Sequence, residues 1–286
     1  MSVPGGTQGF GCWRAAKQTG PQRLVSKNAM KPTEEDVNAY RGRGSYREAL
    51  YARYVEIQVP GWLHFSEASK RVERRGLVSR LQGWLPACSS ARCLDLGCGA
   101  GDQMVALRSM GYHNLIGVDR GPQQIALAEK RGLRVVKADL RDYLRGCDQA
   151  FDAIFAFDII EHFAKDEVLE LLGLIWDGLK PGGILVLQTP NALSPWAAHY
   201  RYADLTHELI FSPECMASTL RLTGFGEIGI SEVGPFIHGI RSAGRWALWQ
   251  LIRAGCALWN LAETGSANGG VYSRNMLVRA VKDRAL

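Results

Sequence analysis

The chain has 286 residues, 47% of them hydrophobic and 22% charged, enough apolar material for a full core, which excludes a disordered chain, a collagen-like rod or a coiled coil. Its net charge of +6 is unevenly spread. Residues 1–82 carry fourteen basic and seven acidic side chains, residues 83–234 thirteen and nineteen, and residues 235–286 seven and two. The acidic middle argues against a nucleic-acid groove running over it, while the basic flanks suit phosphate groups or a lipid surface, or are simply solvated. Seven cysteines without a CxxC pair read as reduced packing residues rather than a disulfide framework or a zinc site.

Residues 1–29 mix Gly, Ser, Gln and Lys without hydrophobic periodicity and without the apolar stretch of a signal peptide, so they read as a disordered extension. From Glu34 to about Leu85 the pattern turns helical and basic, with Tyr40, Tyr46, Tyr51, Tyr54, Trp62 and Phe65 between the charges. Residues 30–90 therefore predict a helical cap.

Within residues 91–286 the pattern changes. Strand-like runs at Cys93–Leu96, Leu115–Val118, Leu133–Val136, Ala153–Phe157 and Ile184–Leu187 alternate with helical stretches at Met104–Met110, Gln123–Lys130 and Val168–Leu179. That order predicts an α/β domain whose parallel sheet is buried on both faces and wound with right-handed crossovers. Lys180-Pro181-Gly182-Gly183 turns the chain into the fifth strand. An irregular stretch, Thr189–Phe211, precedes a helix from Pro213 to about Leu222 and two strands, Glu227–Val233 and Asn275–Val281.

Between those last strands lies an amphipathic helical insertion, residues 239–263. Arg245, Gln250, Arg253 and Asn260 interrupt every window of about 20 residues, so it is not an ordinary transmembrane span. Its polar side chains gather on about half of the helical wheel. Trp246, Trp249 and Trp259 suit a helix lying in a membrane interface, and packing onto the domain or a dimer partner explains the pattern as well.

The most informative run is Leu94-Asp95-Leu96-Gly97-Cys98-Gly99-Ala100-Gly101-Asp102. Alternate glycines between a strand and a helix let the backbone approach a ligand at the carboxyl edge of the sheet, where open α/β folds bind nucleosides. Counted from Gly97, a dinucleotide fingerprint would place its third glycine at 102, which is aspartate here. Asp119 ends the second strand, where a carboxylate can accept both ribose hydroxyls. Asp139 follows the third strand, with Leu140 beside it.

With LDLGCGAGD, GVDRG, KADL, FDAIFAFDIIEHF and LKPGGILVLQTPN in this order, the chain from about Arg92 to Asn191 resembles the class I S-adenosylmethionine-dependent methyltransferases. The resemblance implies a Rossmann-like, seven-stranded, mostly parallel sheet with a helical cap before it and a helical insertion before the last strand. It implies S-adenosyl-L-methionine as cofactor. Residue by residue, it implies Asp95, Gly97, Gly99 and Gly101 around the methionine portion, Asp119 and the adjacent Arg120 at the ribose, Asp139 and Leu140 at the adenine, and Phe157 on the floor.

Methyl transfer to an alcohol needs a base or a metal. His162 is the candidate base at the end of the fourth strand, with Glu161 beside it and His207 as a second candidate. The spacing of Asp158, Glu161 and His162 resembles a divalent-metal site of some quinone methyltransferases, whereas a purely structural role would have Glu161 and His162 cap and pack the helix. In the irregular stretch, Tyr200, Arg201, Thr206 and Glu208 are the candidate substrate contacts. The run YRYADLTHELIFSPE resembles the substrate loop of bacterial methyltransferases associated with polysaccharide and lipopolysaccharide assembly.

The expected activity is O-methylation of a sugar hydroxyl in a glycan or lipid-linked glycan. The alternative is O-methylation of a polyprenyl quinone precursor or other small molecule. A non-catalytic cofactor-binding module and an NAD-dependent oxidoreductase are the readings from other classes. No nucleic-acid partner is expected. A cytoplasmic location, with peripheral contact to the inner face of the membrane, accompanies the first reading, and a homodimer is left open.

Overall fold

Each apolar run becomes a strand covered on both sides, which is why the runs are continuous rather than alternating. The computed structural model describes residues 66–86, 90–266 and 270–283. Its strands are β1 (Cys93–Leu96), β2 (Leu115–Asp119), β3 (Val135–Lys137), β4 (Phe151–Phe157), β5 (Leu179–Pro190), β6 (Phe225–Glu232) and β7 (Asn275–Lys282). Among the described residues they form one seven-stranded sheet in the order β3-β2-β1-β4-β5-β7-β6. The pairs from β3 to β5 are parallel. Only β7 runs against its neighbours, β5 and β6.

Successive strand residues point to opposite faces. Leu94, Leu96, Ile154, Leu185 and Val278 build one core with Val168, Leu171 and Ile175 of α5 (Lys165–Gly178) and Met216 and Leu220 of α7 (Pro213–Leu222). Cys93, Phe155, Val186 and Leu277 build the other. It is closed by Leu77 and Leu81 of α1 (Glu67–Leu81), Met104 and Leu107 of α2 (Asp102–Ser109) and Ala128 of α3 (Pro122–Lys130). Each fully buried leucine contributes about 2 kcal/mol of transfer free energy.

Two short helices depart from the sequence expectation. Leu140–Arg145 forms α4, where no helix is expected, and Ala197–Ala203 forms α6 inside the stretch read as irregular. The Lys180–Gly183 turn lies within β5 as an irregularity, where pairing with β4 steps from Phe151–Leu179 to Ala153–Ile184. The insertion between β6 and β7 is a 25-residue helix, α8 (Ile240–Thr264), ended by Gly265 in the left-handed conformation. No described helix is long and apolar enough to cross a membrane. The N-terminal extension and most of the expected cap lie outside the described residues, and α1 is the part of the cap that is described.

Candidate active site

β1 lies between β2 and β4, the point where an open parallel sheet leaves a crevice at the carboxyl ends of its strands. The chain leaves β1 through a loop stitched to the end of β2. Gly97 N and Cys98 N both donate to Val118 O, at 2.8 and 3.1 Å. Gly97 has φ +66°, and a Cβ there would lie 1.9 Å from Ile159 Cδ1. No side chain fits this position, so the backbone itself forms the wall of the cleft.

Asp119 is held from both sides. Gly99 N donates to its Oδ2 at 2.9 Å and Gly121 N to its Oδ1 at 2.7 Å. Each carboxylate oxygen keeps acceptor capacity for a second donor, the arrangement that a vicinal diol requires. Burial pushes the Asp119 pKa up, and the two N–H groups oppose that rise. Asp139 caps α4 through Oδ1, which accepts from Arg141 N at 2.9 Å and Asp142 N at 3.5 Å.

The cleft is lined by Gly97, Gly99, Asp119, Arg120, Asp139, Leu140 and Phe157 of the residues named from the sequence. Gln124, Arg141, Ile159 and Phe163, which sequence reasoning did not single out, line it too. Asp95 and Gly101 do not. Asp95 is buried in β1, and its Oδ2 has no hydrogen-bond partner among the described residues. Burial, reinforced by the Asp119 charge, pushes its pKa up to about 8. Gly101 has φ +83° and faces Leu133, whose Cδ1 would lie 2.1 Å from a Cβ. Its contribution is to pack the loop against the start of β3.

Beyond Phe157 the chain takes a strained step. Asp158 has φ +54°, rare for a residue with a side chain. Its carboxylate accepts Gln188 Nε2 at both oxygens, at 3.1 and 3.0 Å, and Asn275 Nδ2 at 3.4 Å. Burial raises its pKa to about 6 against the pull of the Gln188 bond. A single 3₁₀ turn, Ile160–His162, then presents His162 on the cleft wall. Glu161 is fully buried behind it, where its Oε2 accepts Thr189 Oγ1 at 3.0 Å and its Oε1 has no hydrogen-bond partner among the described residues. Burial, with the Asp158 charge nearby, raises its pKa well above the usual carboxylate range.

Thr206 orients the His162 ring. Thr206 Oγ1 donates its one hydrogen to Asp204 Oδ1 at 2.6 Å and lies 2.8 Å from His162 Nδ1. It can therefore only accept from the imidazole, so Nδ1 carries a hydrogen, and backbone bonds from the ring to Thr206 and Asp158 hold it further. Burial, with His207 adding to it, lowers the His162 pKa to about 4. The ring is neutral at pH 7. His207 meets it edge to face at 4.8 Å between centroids, and its own Nδ1 donates to Tyr200 O at 2.8 Å.

The loop that carries these partners is docked on the 3₁₀ turn, because Glu208 N and Leu209 N both donate to Glu161 O, at 2.8 and 3.1 Å. Two of its expected substrate contacts have other work. Thr206 is buried against His162, and Arg201 donates through Nη1 to His207 O. Tyr200 lies toward the loop surface, where the Arg274 guanidinium sits 5.7 Å from its ring and 5.2 Å from that of Trp196. Glu208 contributes its backbone N–H to the docking.

Glu161, His162 and His207 each bring one ligand atom within 4.8 Å of the others. This trio differs from the Asp158, Glu161 and His162 set expected from spacing, because the Asp158 carboxylate is occupied by amide donors. Two imidazoles and one carboxylate suit a transition-metal ion such as zinc, and not magnesium, which prefers oxygen ligands.

Several known proteins are similar to this chain in sequence or in fold. Residues 93–183 match the family model described as a methyltransferase domain. Trans-aconitate 2-methyltransferase of Rhizobium rhizogenes is 31% identical over 125 residues, covering 43% of this chain and 47% of the relative. A tRNA U34 carboxymethyltransferase of Desulfotalea psychrophila is 27% identical, covering 57% and 53%. The chain thus spans about half the length of these curated relatives. Among solved structures, a SAM-dependent methyltransferase from Archaeoglobus fulgidus superposes with a TM-score of 0.55 at 23% identity, covering 73% of this chain and 94% of that one. Phosphoethanolamine N-methyltransferase 2 of Haemonchus contortus, solved with S-adenosyl-L-methionine, gives 0.54 at 17% identity, covering 82% and 60%. The fold is the class I methyltransferase fold. Neither of the two curated relatives is named for a sugar or a quinone acceptor.

Proposed function

We propose that this chain, whose methyltransferase domain takes S-adenosyl-L-methionine as its cofactor, is an enzyme that methylates a hydroxyl oxygen of a small-molecule acceptor, with His162 as general base. The observation that carries the reading is the Asp204–Thr206–His162 chain, which orients a neutral imidazole on the cleft wall. The cleft fits the cofactor. Its wall at Gly97 and Gly99 has no side chains, and Asp119 offers a diol two oxygens.

When bound, the sulfonium supplies an electrophilic methyl group. An acceptor hydroxyl placed at that methyl group would give up its proton to His162. Thr206 and Asp204 then stabilise the imidazolium through Nδ1. Asp119 holds the ribose, Asp139 and Leu140 the adenine, and Phe157 closes the floor. The relatives' names favour a small molecule over the glycan or lipid-linked glycan suggested by the loop. Incubating the chain with labelled cofactor and a panel of hydroxy acids, phenols, quinone precursors, nucleotide sugars and lipid-linked glycans tests this. Label in a base-stable ether supports the reading. Label confined to carboxyl esters or amines removes His162 from its role.

The Glu161, His162 and His207 trio favours a second reading, in which a transition-metal ion held there activates the hydroxyl. Under the first reading, turnover survives chelation. Loss of turnover on chelation, restored by zinc, selects the second.

A further inference from the structure

Helix α8 shows the domain its polar side. Trp249 Nε1 donates to Glu232 Oε2 at 3.4 Å, and Arg253 Nε pairs with the same oxygen at 2.8 Å. Ser242 Oγ accepts His238 N and donates to Gly239 O, at 2.8 and 2.7 Å. At about 100° per residue, Ser242, Trp249, Arg253 and Asn260 fall on one stripe. The opposite side carries Ile240, Leu248, Leu251, Leu258 and Trp259, each more than half exposed. From Ile240 to Trp259 this apolar strip is about 30 Å long. A strip of this size facing water marks an interaction surface.

What covers it is indicated by charge. Phe236, Ile237 and His238 lead directly into α8, and they line a second cleft with Arg71, Arg74 and Arg75 of α1. Gly76 permits this junction, because a Cβ there would lie 2.7 Å from Phe236 Cε1. Arg80 fastens it, donating to Gly234 O at 3.1 Å. Arg74 is engaged by Glu67 and Asp102, at 3.0 and 3.6 Å. Arg241 and Arg245 are exposed on the first turns of α8. The apolar strip therefore begins at a cluster of arginines.

We infer that α8 docks the protein onto an anionic lipid bilayer, with its apolar strip among the acyl chains and the arginine cleft at the phosphates. Helices that lie in an interface bury such a face about 5–10 Å deep, and long arginine side chains reach back to the headgroups. A second copy is less well matched. Beyond residue 235 the chain has two acidic side chains against seven basic ones, so an identical surface has little acid to set against Arg241 and Arg245. The inference is independent of which acceptor is methylated.

The experiment is co-sedimentation of the full chain with vesicles of phosphatidylcholine alone and of phosphatidylcholine with phosphatidylglycerol, in low and high salt. Leu251→Glu with Leu258→Glu, and Arg71→Ala with Arg75→Ala, are compared with wild type. All four positions lie outside the cleft for the cofactor, so calorimetric binding of S-adenosylmethionine serves as the control for folding. Expected is salt-sensitive binding to the anionic vesicles, weakened at least about 100-fold by the leucine pair. The arginine pair loses the preference for anionic over neutral vesicles. Wild type that stays in the supernatant overturns the inference. If it does so as a dimer that the leucine pair dissociates, the strip belongs to a second copy, and if as a monomer, to neither.

Discussion

His162 and Thr206, forty-four positions apart, share a hydrogen bond of 2.8 Å in which the imidazole Nδ1 donates to the threonine hydroxyl. Because that hydroxyl spends its own hydrogen on Asp204, the bond fixes the orientation of the proposed base. Thr206→Val should therefore lower kcat about tenfold, the worth of one hydrogen bond to a group that becomes charged, and leave cofactor affinity unchanged. Thr206→Ser should restore most of the loss. His162→Ala should cost about 10²–10⁴-fold. Steady-state kinetics beside calorimetry separates these effects, and a Thr206→Val enzyme with wild-type kcat removes the relay.

The depressed pKa of His162 ties stability to pH. Its pKa is about 4 in the folded chain, lowered from 6.5 mainly by burial. The unfolded chain thus binds the proton more readily between these values. This contribution is fully present above pH 6.5 and is lost as the pH falls toward 4. Thermal melts across that window should show wild type losing Tm more steeply than His162→Gln. Parallel curves would show that the imidazole is not desolvated.

Gly97 tests the loop. An added methyl meets Ile159 at 1.9 Å on a backbone with φ +66°, so Gly97→Ala should destabilise the fold by about 1–3 kcal/mol and abolish cofactor binding. Ile159→Ala in the same chain relieves the collision but not the backbone strain, and should return stability only in part. Denaturant melts of the three variants check the order. Full recovery in the double variant would mean that the left-handed conformation carries no cost.

Glu161 is buried with one oxygen unpartnered among the described residues, and burial raises its pKa. Glu161→Gln preserves the shape and places no charge in the interior, so it should not lower stability by more than about 1 kcal/mol. Turnover should change little if His162 acts as base alone. A collapse of turnover with intact folding and intact cofactor binding would favour the metal reading instead.

The sheet and the glycine loop were legible in the sequence for physical reasons. Strands buried on both faces leave continuous apolar runs, and the positive φ at Gly97 and Gly99 demands glycine. α4 was missed because six residues are too few to show a helical period, although Asp139 ahead of Leu140 is a recognisable N-cap. The role of Thr206 was not legible. It depends on the loop docking to Glu161 O, a contact no local pattern encodes. Arg274 escaped for the same reason, since it reaches Trp196 and Tyr200 from the far end of the insertion. The two sides of α8 could be drawn on a wheel, but only Glu232 on β6 decides which side faces the domain.

The most direct test is calorimetric titration of the purified chain with S-adenosylmethionine, compared with Asp119→Ala and with NAD as a competing ligand. Saturable binding of S-adenosylmethionine at one site per chain, weakened about 10–100-fold by Asp119→Ala through loss of two charge-assisted hydrogen bonds, is the predicted result. Binding of NAD alone, or an affinity for S-adenosylmethionine that Asp119→Ala leaves untouched, would contradict the assignment of the cleft and the methyl-transfer reading that rests on it.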